Sequence, residues 1–462
     1  MKPKYFLALG LLVLGLGSCG ESFFEQYPSN NITEGNFYKT DDDFNQGVVA
    51  CYAKLKTQMS FHLTEIGYRG DENVLESMAV STQNRYDIDH FAETANNGIL
   101  NDIWNAWYNG IYRCNDVLDH MTGAKIANYD KYRGECLFLR SWWYFNLYRV
   151  FGVVPITRTV VTPAAAKLIP RCTEEEMYTL LTEDFAEAAR LLPPTPGPEK
   201  ARVANIAAYT LLAKVYLTFG KPAEAKTALE EAMKNTSYGL ESTTKKVFDV
   251  GNKMNREIIF ALYYNKTNDN GHGYWYSANT DVLADINNPT PTFKAIYDSE
   301  KDNRLPLISS YTKIKDNLFA MTKWYDTYDA TYTTQVGNDF PHLRYADVVL
   351  MYAEALAESG GSLGDALEWL NKTRTRAGLD ELTTDEVKSL AEFRRELAAE
   401  RGREFALEGH RWFDLVRLGL AVDYFREMGY SLDSHNLIFP IPQNQIEIVN
   451  NPSILWQNPG FN

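Results

Sequence analysis

The sequence predicts a mostly α-helical protein, a tetratricopeptide-like scaffold of helix pairs carrying one irregular, loop-rich insertion with short strands. Three observations lead there. Apolar residues recur at three- and four-residue spacing over much of the chain, the period of an amphipathic helix. Helix start and stop signals bracket those stretches. Between Thr236 and Phe340 that periodicity fails, and Gly, Pro, Asn and Asp recur at short intervals.

Thr40-Asp41-Asp42-Asp43 forms a capping box ahead of Phe44, Val48, Tyr52 and Leu55. A second helix carries Ile99, Ile103, Trp107, Ile111, Cys114 and Leu118. A third runs from about Tyr129 to Phe151 and stops at Gly152, with Pro155 just beyond. Thr173 to Glu176 caps a fourth, carrying Met177, Leu181, Phe185, Ala188 and Leu192, and Pro193-Pro194 ends it. Ala207 to Met233 reads AAYTLLAKVYLTFGKPAEAKTALEEAM, with Gly220 and Pro222 in the turn. Alternating small and large apolar residues about such a turn match a tetratricopeptide helix hairpin. Leu343 to Leu379 repeats the idea, and another helix starts at Glu392 and runs toward Leu418. The 236–340 segment holds 14 aromatics in the 78 residues from Tyr263 to Phe340, denser than the 13% of the whole chain. Aromatics concentrated in irregular structure point to a surface as well as to a core.

Composition narrows the function. The chain has 462 residues, 45% of them hydrophobic, enough for a sizeable core without disulfides. Its net charge of −14 argues against nucleic acid, whose phosphates need a basic footprint. Seven scattered His residues, without an HExxH pair, argue against a metallohydrolase. A GxSxG elbow and a P-loop are also missing. A glycoside hydrolase needs two carboxylates flanking a cleft; Asp71 and Glu72 come nearest to a pair, and no fixed motif supports them. Asn268-Asp269-Asn270 reads as a solvated turn in preference to a calcium site, and no cofactor is expected.

The N-terminus sets the compartment. Lys2 and Lys4 precede an apolar run from Tyr5 to Leu16, too short to span a bilayer, which takes ~20 residues. The run fits a secretory leader ending at Leu16-Gly17-Ser18-Cys19. Small residues before a Cys resemble a bacterial lipobox, which makes Cys19 the lipidated first residue of the mature protein. Cys51, Cys114, Cys136 and Cys172 then remain. Without CxxC spacing a metal knuckle is not expected, and a disulfide or buried free thiols both fit. The predicted organisation is a leader over 1–18, lipidated Cys and tether over 19–40, and an N-terminal helical scaffold over 41–235. The aromatic insertion over 236–340 and C-terminal helix pairs with a closing tail over 341–462 follow.

Several stretches, spread over nearly the whole mature chain, resemble the SusD/RagB family of outer-membrane nutrient-binding lipoproteins. They are Gly134-Glu135-Cys136-Leu137-Phe138-Leu139-Arg140 with Trp143-Tyr144-Phe145-Asn146-Leu147, and Phe151-Gly152-Val153-Val154-Pro155. Further on come Leu343-Arg344-Tyr345-Ala346-Asp347, Leu370-Asn371-Lys372-Thr373-Arg374 and Arg376-Ala377-Gly378-Leu379. Glu400-Arg401-Gly402-Arg403-Glu404, Glu408-Gly409-His410-Arg411-Trp412-Phe413-Asp414-Leu415 and the closing Gln457-Asn458-Pro459-Gly460-Phe461 complete the set. Physically these motifs read as scaffold. Arg344, Glu354, Arg374, Glu400, Glu404, Arg411 and Asp414 sit among apolar helical residues, where charges must pair. Trp104, Trp107, Trp142, Trp143 and Trp412 read as core.

The resemblance implies a lipid-anchored protein of the outer membrane, facing the cell exterior. It implies capture of a glycan without catalysis and its delivery to a SusC-like TonB-dependent transporter. A peptide or another nutrient is the alternative cargo. It also implies that ligand residues lie in the segments His62 to Ile99 and Tyr263 to Phe340. Sugar rings pack a C–H face on flat aromatics and bond their hydroxyls to polar side chains. Trp275 and Trp324 are therefore the expected stacking platforms, Tyr276 and Tyr325 the next candidates, and Asp71, Arg69 and Arg85 the polar ones.

Overall fold

The computed structural model describes residues 37–72, 83–197, 199–264, 277–279, 289–315, 318–326 and 337–461. The N-terminal half is helical: α1 Asp41–Gly67, α2 Gln83–Asp89, α3 Gly98–His120, α4 Tyr129–Phe151, α5 Glu174–Leu191, α6 Asn205–Thr218 and α7 Pro222–Met233. Strand β1 is Ile258–Leu262, β2 Ser277–Asn279, β3 Tyr311–Lys315, β4 Leu318–Met321 and β5 Phe340–Arg344. The C-terminal helices are α8 Tyr345–Glu358, α9 Leu363–Arg376, α10 Leu390–Glu404, α11 Arg411–Arg417 and α12 Ala421–Glu427.

Local chemistry sets the boundaries. At α1 the capping box forms: Asp43 N donates to Thr40 Oγ1 at 3.2 Å and Thr40 N donates to the Asp43 carboxylate at 2.7 Å. Thr173 and Glu176 repeat it at α5, with 3.1 and 2.7 Å bonds. Helix α4 ends at Gly152, whose φ of 71° is left-handed and favours a residue without Cβ. Phe44, Val48, Cys51 and Leu55 line the buried face of α1. Trp104, Trp107, Trp142, Trp143 and Trp412 are all core, as the sequence predicts. Cys51, Cys114, Cys136 and Cys172 are buried free thiols.

Each helix packs on its neighbour in an unbroken row, α3 on α4, α4 on α5, α5 on α6 and α6 on α7. Helix α7 then packs directly on α8, and α8 on α9 and α10. The 236–340 insertion thus leaves the chain between two adjacent helices and returns to the stack. It holds four of the five described strands, and β5 closes it: β1 pairs antiparallel with β5, while β2, β4 and β3 form a separate antiparallel sheet. Strand β5 runs straight into α8, and Tyr345 N donates to the Glu257 carbonyl at 2.8 Å.

The closing tail is fastened by polar contacts. Arg171 donates to the carbonyls of Val153 at 2.7 Å and Trp456 at 2.9 Å, and to Asn458 Oδ1 at 2.7 Å. Asn458 Nδ2 donates in turn to the carbonyls of Phe151 at 3.0 Å and Phe439 at 2.7 Å. Arg171 is fully engaged without a carboxylate.

At Gly110 α3 lies tight against the Trp143 ring of α4. A Cβ there would stand 2.3 Å from the Trp143 ring. Gly110→Ala is expected to destabilise the protein by about 1–3 kcal/mol, the usual overpacking cost, read from denaturant unfolding against wild type.

Candidate ligand-binding site

The end of α1 and the turn after it, residues 62–72, are buried throughout. Arg69 is 0% exposed. Its guanidinium lies 3.9 Å from the Phe439 ring centre, 5.0 Å from Phe91 and 5.2 Å from Trp412, and it pairs with Glu93. A cation so placed gains from ring quadrupoles as well as from its carboxylate. Asp71 is bound by Arg411 Nε at 2.8 Å and by the Tyr424 hydroxyl. The Thr290 hydroxyl donates to the Asp71 carbonyl at 2.8 Å. Arg69 and Asp71 therefore rivet the 68–72 turn to the 290 segment and to α11 and α12. As polar contacts for a ligand they are corrected: both are buried, the Asp71 carboxylate is bound by Arg411 and Tyr424, and the terminal nitrogens of Arg69 bond Asn436 and Glu93 inside the fold.

The Lys323–Asp326 run also turns inward. Trp324 is 1% exposed, with its ring 5.2 Å from Phe248 and 6.3 Å from Phe340. A stacking platform needs a free face, so Trp324 is corrected to a core residue. Lys323 is buried and donates to Glu408 at 2.7 Å. The Asp326 carboxylate accepts from Gly337 N at 2.8 Å. Tyr325 alone of the four is half-buried. Arg85 keeps its side chain 23% exposed beside Glu65, at 3.2 Å. Of the remaining expected residues, Trp275, Tyr276 and Cys19 lie outside the described residues.

The described surface offers one more feature. An open depression of about 640 Å³ lies between α1 and β1, floored by Tyr52 and Phe260 and rimmed by Lys56, Lys200 and Tyr263. Tyr263 is 43% exposed, and Lys253 Nζ stands 4.4 Å from its ring centre. Lys253 is in turn fixed by Asp339 at 2.8 Å. An exposed ring beside held charges is the surface a sugar needs, an apolar face with polar groups at its edge. The sequence reading put Tyr263 inside its aromatic segment without singling it out. The signal was there: on strand β1 the run ends at Leu262, so Tyr263 is the first residue past the buried strand.

Among the described residues no cluster of His, Cys, Asp or Glu could hold a metal ion. No helix among them is long and apolar enough to cross a membrane.

The chain is similar to known proteins over nearly its full length. Residues 302–461 match the profile of the SusD family. Residues 27–217 match a profile described as starch-binding associating with outer membrane. SusD-like protein P2 of Formosa agariphila is 25% identical over 511 aligned positions, which cover 99% of this chain and 100% of that one. The starch-binding protein SusD of Bacteroides thetaiotaomicron is 33% identical over 154 residues, 31% of this chain and 26% of that one. Among solved structures, a SusD superfamily protein of Bacteroides vulgatus superposes with a TM-score of 0.77 at 23% identity, covering 92% of this chain and 100% of that one. A laminarin binding SusD-like protein gives 0.75, also at 23% identity and with the same 92% and 100% coverage. These two likenesses establish the fold.

Glu72 yields a test at the riveted turn. It is 1% exposed, and its Oε1 finds no hydrogen-bond partner among the described residues. Burial, reinforced by the neighbouring Asp71, pushes its carboxyl up to about 8. A raised folded value means that the stability it contributes is full below the unfolded value of about 4.3 and is lost as pH rises through the folded one. Glu72→Gln is thus expected to match wild type near pH 4 and to exceed it progressively as pH rises to about 8. The gap should reach at least about 1.4 kcal/mol, the equivalent of one pKa unit. Chemical denaturation across that range, with no widening gap, would refute the assignment.

Proposed function

The chain belongs to the SusD family, and on that premise we propose that it captures a glycan at the cell surface and passes it to a TonB-dependent outer-membrane transporter, without catalysis. The observation that carries this reading is the match of residues 27–217 to the starch-binding, outer-membrane-associating profile. The starch-binding and laminarin-binding relatives support it, and so does the described surface. Lipid attachment at Cys19, as the start of the chain suggests, holds the protein at the outer membrane with its ligand face outward.

Binding without chemistry fits the carboxylates too. Asp71 and Glu72, the nearest thing to an acid–base pair in the sequence, are 2% and 1% exposed, and Asp71 is clamped by Arg411. A glycosidase needs its two carboxyls facing substrate across a cleft. The proposed stacking residues are now Trp275 and Tyr276, with Tyr263, Tyr325 and Arg85 at the periphery.

Affinity electrophoresis of the full chain in detergent, on gels loaded with diverse polysaccharides, tests the reading. Retardation by one polysaccharide class is expected. Trp275→Ala with Tyr276→Ala should weaken it roughly tenfold or more, the ~1.4 kcal/mol of a lost stacking contact. Tyr263→Ala should have a smaller effect in the same direction. Retardation by none of the polysaccharides would overturn glycan capture. Co-purification with a TonB-dependent transporter from its native membrane tests the delivery step separately.

A further inference from the structure

Among the described residues, most buried cations and carboxylates meet in matched sets. Beneath α6, α8, α10 and α11, three cations (Lys214, Arg401, Arg417) meet three carboxylates (Asp347, Glu354, Asp414). Arg401 reaches Asp347 at 2.9 Å and Asp414 at 2.8 Å, and Arg417 reaches Asp414 at 3.0 Å. That set is neutral. Beside it, Arg149 of α4 has no carboxylate within ion-pair distance among the described residues. Its guanidinium lies 3.9 Å from the Phe413 ring centre and 4.7 Å from that of Phe145. Its hydrogen bond goes to Asn146 Oδ1, and its buried Nε has no acceptor. Arg171, which is buried and also lacks a carboxylate, is satisfied by carbonyls and Asn458, whereas Arg149 is half-buried with a buried Nε.

Arg149 lines a cavity of about 260 Å³ between the C-terminal end of α4, α6, α11 and the 437–438 segment. Phe145, Phe413, Leu437 and Ile438 form the apolar walls and Thr218 lies opposite. Lys214, Asp414 and Arg417 of the neutral set and His410 also reach the cavity, and Asp414 is already held by Arg401 and Arg417. At roughly 30 Å³ per water, the space holds a small molecule. We propose that this cavity binds a small carboxylate, whose single negative charge neutralises Arg149. The charge count sets the valence. A monoanion brings the buried group to neutrality, whereas a dianion would leave one uncompensated charge in a low-dielectric space. The planar guanidinium fork favours a planar carboxylate over other monoanions. Burial pulls Arg149 down to about 9, with the more distant Asp414 and Asp347 drawing it part of the way back. The inference stands apart from glycan capture, because this cavity lies among the scaffold helices and shares no residue with the Tyr263 depression.

Isothermal titration calorimetry on the full chain in detergent, at pH 7 and low ionic strength, tests it with acetate, glucuronate and neutral glucose. Acetate, glucuronate or both should bind, and glucose should not bind at this site. Binding of both acids marks a general carboxylate site, and binding of glucuronate alone marks an acidic-sugar site; either supports the proposal. Arg149→Gln should weaken binding tenfold or more, about the loss of one charge-assisted bond. Thr218→Trp, which fills the cavity from a half-exposed wall and leaves Arg149 in place, should abolish it. If Arg149→Gln fails to fold, Thr218→Trp decides alone. Absence of carboxylate binding to wild type, or binding that survives Thr218→Trp, overturns the proposal.

Discussion

The structure depends on one buried ion network. Arg344, at the end of β5, is bound by Glu257 at 2.6 Å, Glu404 at 3.0 Å and Glu408 at 2.7 Å. Arg304 joins Asp302 at 2.9 Å, Glu400 at 2.7 Å and Glu404 at 3.1 Å. Arg376, Arg403 and Lys323 complete it through Glu257, Glu404, Glu400 and Glu408. Five cations face five carboxylates, and no side chain among them is more than 8% exposed. Burying such charges costs several kcal/mol apiece, recovered only when every partner is in place. The network is therefore a registration device. Its members come from Glu257 before β1, Arg344 at the end of β5, the 302–304 segment, the turn before Trp324, and α9, α10 and the turn after α10. Beyond the local pairs Arg403–Glu400 and Arg304–Asp302, its bonds form only when insertion and C-terminal helices are docked together. Arg344 and Glu404 are held ionised by their neighbours, Glu404 well below the usual carboxylate range.

That constraint explains why Lys323 and Trp324 point inward. Lys323 is drawn to Glu408, and Trp324 follows onto Phe248 and Phe340. The insertion thus has an anchored inner side. Of the described aromatics there, Tyr325 is half-buried and Tyr263, past the end of β1, is exposed. The same logic holds at the α1 end, where Arg69 and Asp71 are consumed by Glu93, Arg411 and Tyr424.

Most of the scaffold was legible in the sequence because its causes are local. The Thr40 and Thr173 capping boxes, the Gly152 stop and the hairpin about Gly220 each depend on residues within a few positions. The ion pairs of the motif arginines and carboxylates were legible in kind, since charges on apolar helical faces must pair, but not in partner. Arg374 departs from the pattern: its Nε donates to the Asp380 carbonyl at 3.1 Å instead of meeting a carboxylate. The packing of α7 on α8 across the insertion left no trace in the sequence, because sequence spacing carries no information about which helix faces meet. Site residues were the least legible. An aromatic in an irregular segment has no periodicity to tell its inner face from its outer one. For Trp324 the answer lay in Phe248 and Glu408, each more than a helix away in the chain.

The division of labour follows from the stack. Helices α3 to α10 bury their faces on one another in an unbroken row, so the scaffold's stability does not rest on the insertion's outer loops. The outer loops can then vary at little cost to the fold, provided that the inner anchor, from Glu257 to Glu408, stays matched. A fold of this kind separates what must be held constant from what must vary. It also locates where an unmatched charge stands out. In a protein whose interior so often balances cation against carboxylate, a half-buried arginine with an unpartnered Nε facing a cavity stands out. Arg149 is such a residue, and a carboxylate brought from outside would restore the balance that the chain's own residues leave incomplete.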